Sequence, residues 1–307
     1  MKYDVIGDIH GQYLKLRALL RKLGYRVRAG AYRHPAGHIA VFVGDLIDRG
    51  PGQVEVLDMV RRMEAAGSAR VVMGNHELNA IGYATRTEDG SGWLRKHSTK
   101  NEGQHRAFLD QVGCDSPLHR EWVAWFRTLP VALDLGGIRV CHAWWDDKLI
   151  STAGQASDTM GRLAEDFLRA AFRKGEMACD ALNGITKGLE VELPTGCGFD
   201  DHGDVRRTAV RVRWWDDKAT TFREAAIVPE SQRHCVPDAA LPPGMPPGNP
   251  STVPVFVGHY WLKGRPGPQN ANTAVLDYGA GLEGPLVAYR WDGESELEEG
   301  RFVSVGA

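Results

Sequence analysis

What the 307-residue chain lacks narrows its class before any motif is read. No apolar run approaches the ~20 residues of a membrane-spanning helix. No charge of one sign dominates: 37 Lys+Arg against 39 Asp+Glu leave −2 at pH 7. That balance argues against a dedicated nucleic-acid or membrane-surface binder, whose field is strongly positive. Cysteine is sparse and scattered, with Cys114, Cys141, Cys179, Cys197 and Cys235 forming no C-x-x-C pair. Such a set fits a reducing compartment better than a disulfide framework. No internal repeat is visible, and no linker clearly separates two folding units. The amino terminus, Met1 to Asp8, enters a strand-like run at once, and no signal peptide is expected. A cytoplasmic location is therefore expected. What is present, 43% apolar and 25% charged residues, is the composition of a soluble globular protein. Residues 1–307 read as one domain, long enough to bury a core without staples.

Leu16, Leu19, Leu20 and Leu23 fall at i, i+3, i+4 and i+7, one face of a helix, and Val56, Met59, Val60 and Met63 repeat the spacing after Pro51-Gly52. With strands over Asp4–Ile6, Ile39–Val43 and Arg70–Met73, the first 80 residues read β-α-β-α-β, the pattern of a largely parallel sheet. The segment 84–111 reads as polar and turn-rich. A helix carrying Trp122, Trp125 and Phe126 follows, then a strand over Gly137–Cys141. Met160, Leu163, Phe167 and Ala171 predict a helix within 156–174 behind a Ser157/Asp158 cap. Residues 180–208 read as Gly-rich and irregular, Val210 and Val212 as a strand, and Pro237–Pro254 as loop. Further strands are predicted over Pro254–Val257, Thr273–Leu276 and Leu286–Arg290. The acidic stretch Asp292–Glu299 reads as a solvated face.

Five of these apolar runs end in polar, metal-competent residues. They are Val5-Ile6-Gly7-Asp8-Ile9-His10, Val41-Phe42-Val43-Gly44-Asp45 with Asp48 and Arg49 beyond, Val72-Met73-Gly74-Asn75-His76-Glu77, Val140-Cys141-His142, and Phe256-Val257-Gly258-His259. In open α/β sheets, sites form beyond the carboxyl ends of strands, so five such ends converge on one place. A chance cluster of turn residues does not produce this order and spacing. Cys141 points to the face opposite its neighbour and reads as core. His34, His38, His97, His105, His119, His202 and His234 read as surface or loop residues. Trp144, Trp145, Trp214 and Trp215 read as core, and Arg206 and Arg207 as a solvated pair.

Gly7-Asp8-Ile9-His10-Gly11, Gly44-Asp45-Leu46-Ile47-Asp48-Arg49-Gly50 and Gly74-Asn75-His76-Glu77 resemble the three signature motifs of the calcineurin-like metallophosphoesterases. The likeness is strongest to the phosphoprotein-phosphatase branch, with its bacterial serine/threonine phosphatases and symmetrical bis(5′-nucleosyl)-tetraphosphatases. His142 and His259 resemble that family's later histidine motifs. The resemblance implies an α/β fold, a four-layer α-β-β-α sandwich of two mixed β-sheets flanked by helices. It implies two divalent metal ions, one held by Asp8, His10 and Asp45, the other by Asp45, Asn75, His142 and His259. Mixed N/O ligation without thiolate suits manganese, put first here, or iron, zinc or nickel. His76 is implied as general acid, paired with Asp48, and Arg49 as a phosphate clamp, with Arg211 or Arg213 as a second.

The implied function is a dinuclear-metal-dependent phosphatase hydrolysing phosphomonoesters by attack of metal-bound hydroxide. Its substrate is a phosphorylated protein, nucleotide or small molecule, and no membrane or nucleic-acid partner is expected. The alternative is a dinucleoside-polyphosphate hydrolase or phosphodiesterase on the same site. A non-catalytic scaffold is the minor alternative, disfavoured by the intact His76, Asp48 and Arg49. This chain departs from the family where Ala143-Trp144-Trp145 follows the first late histidine and Tyr260-Trp261 the second. The expectation is that Trp145 or Trp261 contacts the leaving group.

Overall fold

In the computed structural model, which describes residues 1–200 and 206–306, the strand Tyr3–Ile6 lies at the centre of a five-stranded sheet. It pairs in parallel with Ile39–Phe42, which pairs in parallel with Ala69–Val71. On its other side it pairs antiparallel with Leu286–Trp291, and Phe302–Val305 closes that edge. A second, four-stranded sheet runs Thr273–Val275, Val255–Val257, Arg139–Cys141, Ala132–Asp134, parallel except for the last pair. Both sheets are mixed, as expected.

Strand alternation then builds the layers. Val5 pairs with Val41 and Ile6 with Phe42, so each pair points to one face. Val5, Val41, Val43 and Val72 pack against Ile138, Val140, Phe256 and Ala274 of the other sheet, all fully buried. Each such side chain taken from water contributes about 1.5–3 kcal/mol. Ile6 and Phe42 face outward and are covered by helix residues including Leu16, Leu19, Val56 and Val60. These come from helix α1 (Tyr13–Lys22) and helix α2 (Gln53–Ala65). The outward face of the second sheet, with Cys141, Val255 and Val257, joins the same apolar cluster as Ile185, Trp214 and Tyr260. The four-layer sandwich is therefore present.

Several local expectations fail for identifiable reasons. The polar segment 84–111 contains helix α4 (Thr99–Val112), after helix α3 (Asn75–Ala84) and before helix α5 (Pro117–Phe126). Its buried face is only His105, Phe108 and Val112, too sparse an apolar stripe to register. The predicted helix across 156–174 shrinks to α7 (Glu165–Ala170), behind helix α6 (Asp147–Gln155). Asp158 does not cap a helix; its Oδ1 accepts from Met160 and Arg162 N–H in a tight turn, and Gly161 lies at φ +80°. Part of the segment read as irregular is helix α8 (Met177–Lys187). The acidic stretch is not a free face: Leu297 is buried, and Asp292 pairs with Lys2 and with Arg301. His38, His105 and His119 are buried, contrary to expectation, and His202 lies outside the described residues. Among the described residues, no helix is long and apolar enough to cross a membrane.

Candidate metal centre

Backbone bonds lace the first two strand ends together. Ile9 and His10 N–H both donate to Asp45 O, and Gly11 N–H to Leu46 O. Within the second sheet Gly258 N–H donates to His142 O, and His259 N–H ties that sheet to the first through Asp8 Oδ2 at 3.0 Å. The approach is so close that a Cβ on Gly258 would stand 1.8 Å from Asp8 Oδ1, which only glycine permits. Among the described residues, eight non-glycines have positive φ, and six of them are His10, Asp45, Asp48, Arg49, His259 and Trp261. Such conformations cost roughly 1–3 kcal/mol each and persist where surrounding bonds over-determine them.

Glu77 is one such determinant. Fully buried on the first turn of α3, its carboxylate accepts N–H bonds from Asp45, Leu46 and Gly74, each at 2.9 Å. One side chain thus pins the turns carrying Asp45 and Asn75. Burial and the charge of Asp45 push its carboxyl up to about 7 despite those donors. The sequence motif contained Glu77, but its role needed the fold.

The candidate ligand atoms meet around Asp45. His10 Nδ1 donates to Ile47 O at 2.8 Å and His142 Nδ1 to Val43 O at 2.7 Å. A carbonyl can only accept, so these bonds fix the protons on Nδ1 and leave Nε2 as the free lone pair. His10 Nε2 then lies 3.6 Å from Asp45 Oδ2, and His142 Nε2 lies 3.3 Å from the same oxygen and 3.1 Å from Asn75 Oδ1. His259 Nδ1 stands 2.8 Å from Asn75 Oδ1. Donor atoms of His10, Asp45 and His76 lie within 4.8 Å of one another, as do those of Asp45, His142 and His259. Asp8 falls outside both triads, yet its Oδ1 is buried without a partner, like Nε2 of His10 and of His259.

Lone pairs facing lone pairs in a dry place call for positive charge between them, and the donor set is the O/N mixture that divalent cations take. The residues present fit a pair of such ions. Burial and mutual charge perturb every group in this cluster. Burial opposes a charged His142, but Asp45 and Asp8 outweigh it and push it up to about 10. Burial pushes His10 down to about 3, helped by His76, and holds His259 well below its usual value. Burial and the carboxylate of Asp277 raise Asp8 well above the carboxylate range. Burial opposes the ionised form of Asp45 too, but the surrounding imidazoles hold it well below that range.

His76, a member of the first triad, has its Nδ1 2.5 Å from Asp48 Oδ2 and its Nε2 3.8 Å from Asp45 Oδ2. Burial works against an imidazolium here, but Asp45 and Asp48 raise His76 above its usual value. The guanidinium of Arg49 lies 3.9 Å over the ring of Trp261. Trp261 N–H donates to Asp277 Oδ2 at 2.9 Å, a supporting role for Asp277 that its strand position did not announce. Trp145 does not reach the site: it is buried and its Nε1 donates to Asp147. Trp214 and Trp215 are buried core, whereas Trp144 is half-buried. Arg211 and Arg213 part company. Arg211 is close enough to His259 to depress its protonation while it pairs with Glu190 Oε1 at 3.1 Å, and Arg213 is turned to Glu224 O and Asp216.

The family model of the calcineurin-like phosphoesterases matches residues 1–177. The chain belongs to that family. This calcineurin-like phosphoesterase is 49% identical over 76 residues to the asymmetrical bis(5′-nucleosyl)-tetraphosphatase of Halalkalibacterium halodurans, an alignment covering 25% of this chain and 31% of that protein. It thus spans about a third of the length of the first curated relatives it matches. It is 31% identical over 161 residues to the Oceanobacillus iheyensis protein of the same name, covering 52% and 62% of the two chains. To the symmetrical bis(5′-nucleosyl)-tetraphosphatase of Methylococcus capsulatus it is 26% identical over 299 residues, covering 96% and 94%. Among solved structures, a mutant of a cold-active protein tyrosine phosphatase shares the fold, with TM-score 0.50, 18% identity and coverage of 99% and 80%.

Proposed function

We propose that the calcineurin-like phosphoesterase described here is a phosphoric ester hydrolase, acting as one unit over 1–307, whose substrate is a dinucleoside polyphosphate. The observation that carries the reading is the placement of Asp45 Oδ2 between His10 Nε2 at 3.6 Å and His142 Nε2 at 3.3 Å, one carboxylate shared by two ligand sets. Asp8, His10 and Asp45 would hold one divalent ion, and Asp45, Asn75, His142 and His259 the other, with manganese put first. When bound, such a pair activates water and stabilises charge on the phosphoryl oxygens.

The chain's own residues do the rest. Arg49 grips the non-bridging oxygens with its planar fork, its direction fixed by the Trp261 ring. Arg211 is the second clamp. His76 gives the proton on Nε2 to the leaving oxygen, and Asp48 fixes the tautomer through Nδ1. Two observations favour a polyphosphate. Arg95 lies within Coulombic reach of Asp48, and Lys187 within reach of Arg95, Arg211 and Glu190. Both are held by side-chain amide oxygens, Arg95 by Asn101 and Gln104 and Lys187 by Asn183, with no carboxylate at ion-pair distance among the described residues. Relatives over most or part of the chain are named for dinucleotide substrates. The five unpaired cysteines suit a cytoplasmic setting.

The test is relative kcat/KM, with Mn²⁺ supplied, for diadenosine tetraphosphate, a phosphoserine peptide, an aryl phosphate and an aryl phosphodiester. The reading expects the dinucleotide to be preferred. A preference for the peptide or the aryl monoester returns the function to a phosphomonoesterase. No turnover of any of them contradicts an enzyme.

A further inference from the structure

His105 sits on α4 with 1% of its surface exposed, on the face it shares with Phe108 and Val112. Its Nδ1 donates to Asp48 Oδ1 at 2.7 Å, while the other oxygen of Asp48 accepts from His76 Nδ1 at 2.5 Å. One carboxylate is therefore gripped by two imidazoles. Its backbone is held as well: Asp48 N–H donates to Gln53 Oε1 at 2.7 Å, and Gln53 Nε2 donates to Gly50 O at 2.6 Å.

An imidazole is a poor filler for an apolar helix face, because burying its polar atoms costs free energy unless they are bonded. His105 packs at 5.1 Å from the Phe108 ring and 5.3 Å from that of Tyr83, and its Nε2 has no partner. The one side-chain bond it makes among the described residues is to Asp48. A carboxylate held through a single oxygen can swing about its last torsion, and His76 would swing with it. Bonds to both oxygens fix the carboxylate plane, and so the direction of His76 Nε2.

We infer that His105 is a positioning residue for the general acid, holding Asp48 so that His76 presents Nε2 to the leaving oxygen. The inference rests on the reading of His76 as that acid. It makes the acid a His76–Asp48–His105 triad assembled from three separate chain segments. Positioned groups lose much of their effect when displaced by about 1 Å.

The test compares His105→Ala, His105→Phe and His105→Asn with His76→Ala, on phenyl phosphate and 4-nitrophenyl phosphate, with metal content and Tm measured on each. The nitrophenolate leaves without a proton, so a defect confined to the acid shows on phenyl phosphate alone. His105→Ala and His105→Phe should lower kcat on phenyl phosphate by about 10–100-fold, part of the ~10²–10⁴ range for removing a general acid, with little change on the nitrophenyl ester. His105→Asn, whose amide N–H stands near the place of Nδ1, should recover most of it. His105→Ala added to His76→Ala should change nothing further, since the two act as a unit. Equal losses on both esters that His105→Phe restores along with Tm would make His105 a core filler and overturn the inference. Leaving-group dependence in His76→Ala without any in His105→Ala overturns the inference alone. Its absence in His76→Ala overturns the acid reading and the inference together.

Discussion

Asp45 and its neighbours, drawn from residues 8–77, are fastened by buried side chains close by in the first sheet. Glu77 holds three backbone N–H groups, Gln53 holds Asp48, and Ile47 O orients His10. His142 and His259, on the opposite wall, are fastened by bonds that cross between sheets, to Val43 O and Asp8 Oδ2. Behind them stands an aromatic layer in which Trp214 Nε1 and the Tyr260 hydroxyl both donate to Ala143 O at 2.9 Å. The difference teaches that one wall is set within the first sheet and the helix that follows it, the other only once the two sheets close on each other. Damage to the first should cost turnover, and damage around the second should cost stability or selectivity.

Asp45→Asn is the strongest challenge to this division. Its carboxylate is shared by both triads, so the variant should lose measurable turnover while its urea midpoint stays near that of the parent. Near-normal activity would refute the shared-carboxylate arrangement. Next in size is His76→Ala, expected to keep its metal and lose about 10²–10⁴-fold in kcat on substrates with poor leaving groups. An equal loss on activated aryl esters would make His76 a ligand or a positioning group.

The second wall predicts smaller, selective effects. Trp261→Ala removes the ring beneath Arg49, a side chain expected from the sequence to contact the leaving group. It should raise KM for diadenosine tetraphosphate by about 5–100-fold, the equivalent of the ~1–3 kcal/mol of base stacking, and change KM for phosphoserine little. The same shift for both substrates would reduce Trp261 to a support for Arg49.

How far the sequence foretold all this follows the same division. The strand ends bearing Asp8, Asp45 and Asn75 were legible because glycine turns and ligand types sit together within a few residues. His142 and His259 were legible only through their strand-end position. Glu77, Asp277 and His105 were not assigned roles, because each acts on backbone or side chains that only the fold brings near. Helix α4 was hidden for a related reason: one of its few buried positions is His105, which breaks the apolar stripe that betrays a helix. The turn at Asp158 shows the converse, a good cap residue whose side chain satisfies a local loop instead.

The smallest expected effect lies away from both walls. His119 is buried, its Nδ1 accepts from Asp115 N–H at 3.0 Å, and burial, with His105 nearby, pushes it down to about 4. A histidine whose folded value lies below its unfolded ~6.5 contributes stability that is complete above that pH and fades as pH falls toward 4. His119→Gln should therefore lose less Tm than the parent between pH 6.5 and 4. An identical pH dependence would show that His119 does not titrate with unfolding.

The claim that two divalent ions share Asp45 is tested most directly by native mass spectrometry of the Mn²⁺-loaded protein and its single-wall variants. The account predicts two ions per chain for the parent, one each for His10→Ala and His259→Ala, and fewer than one for Asp45→Asn. Two ions retained in Asp45→Asn, or a single ion in the parent, would contradict it.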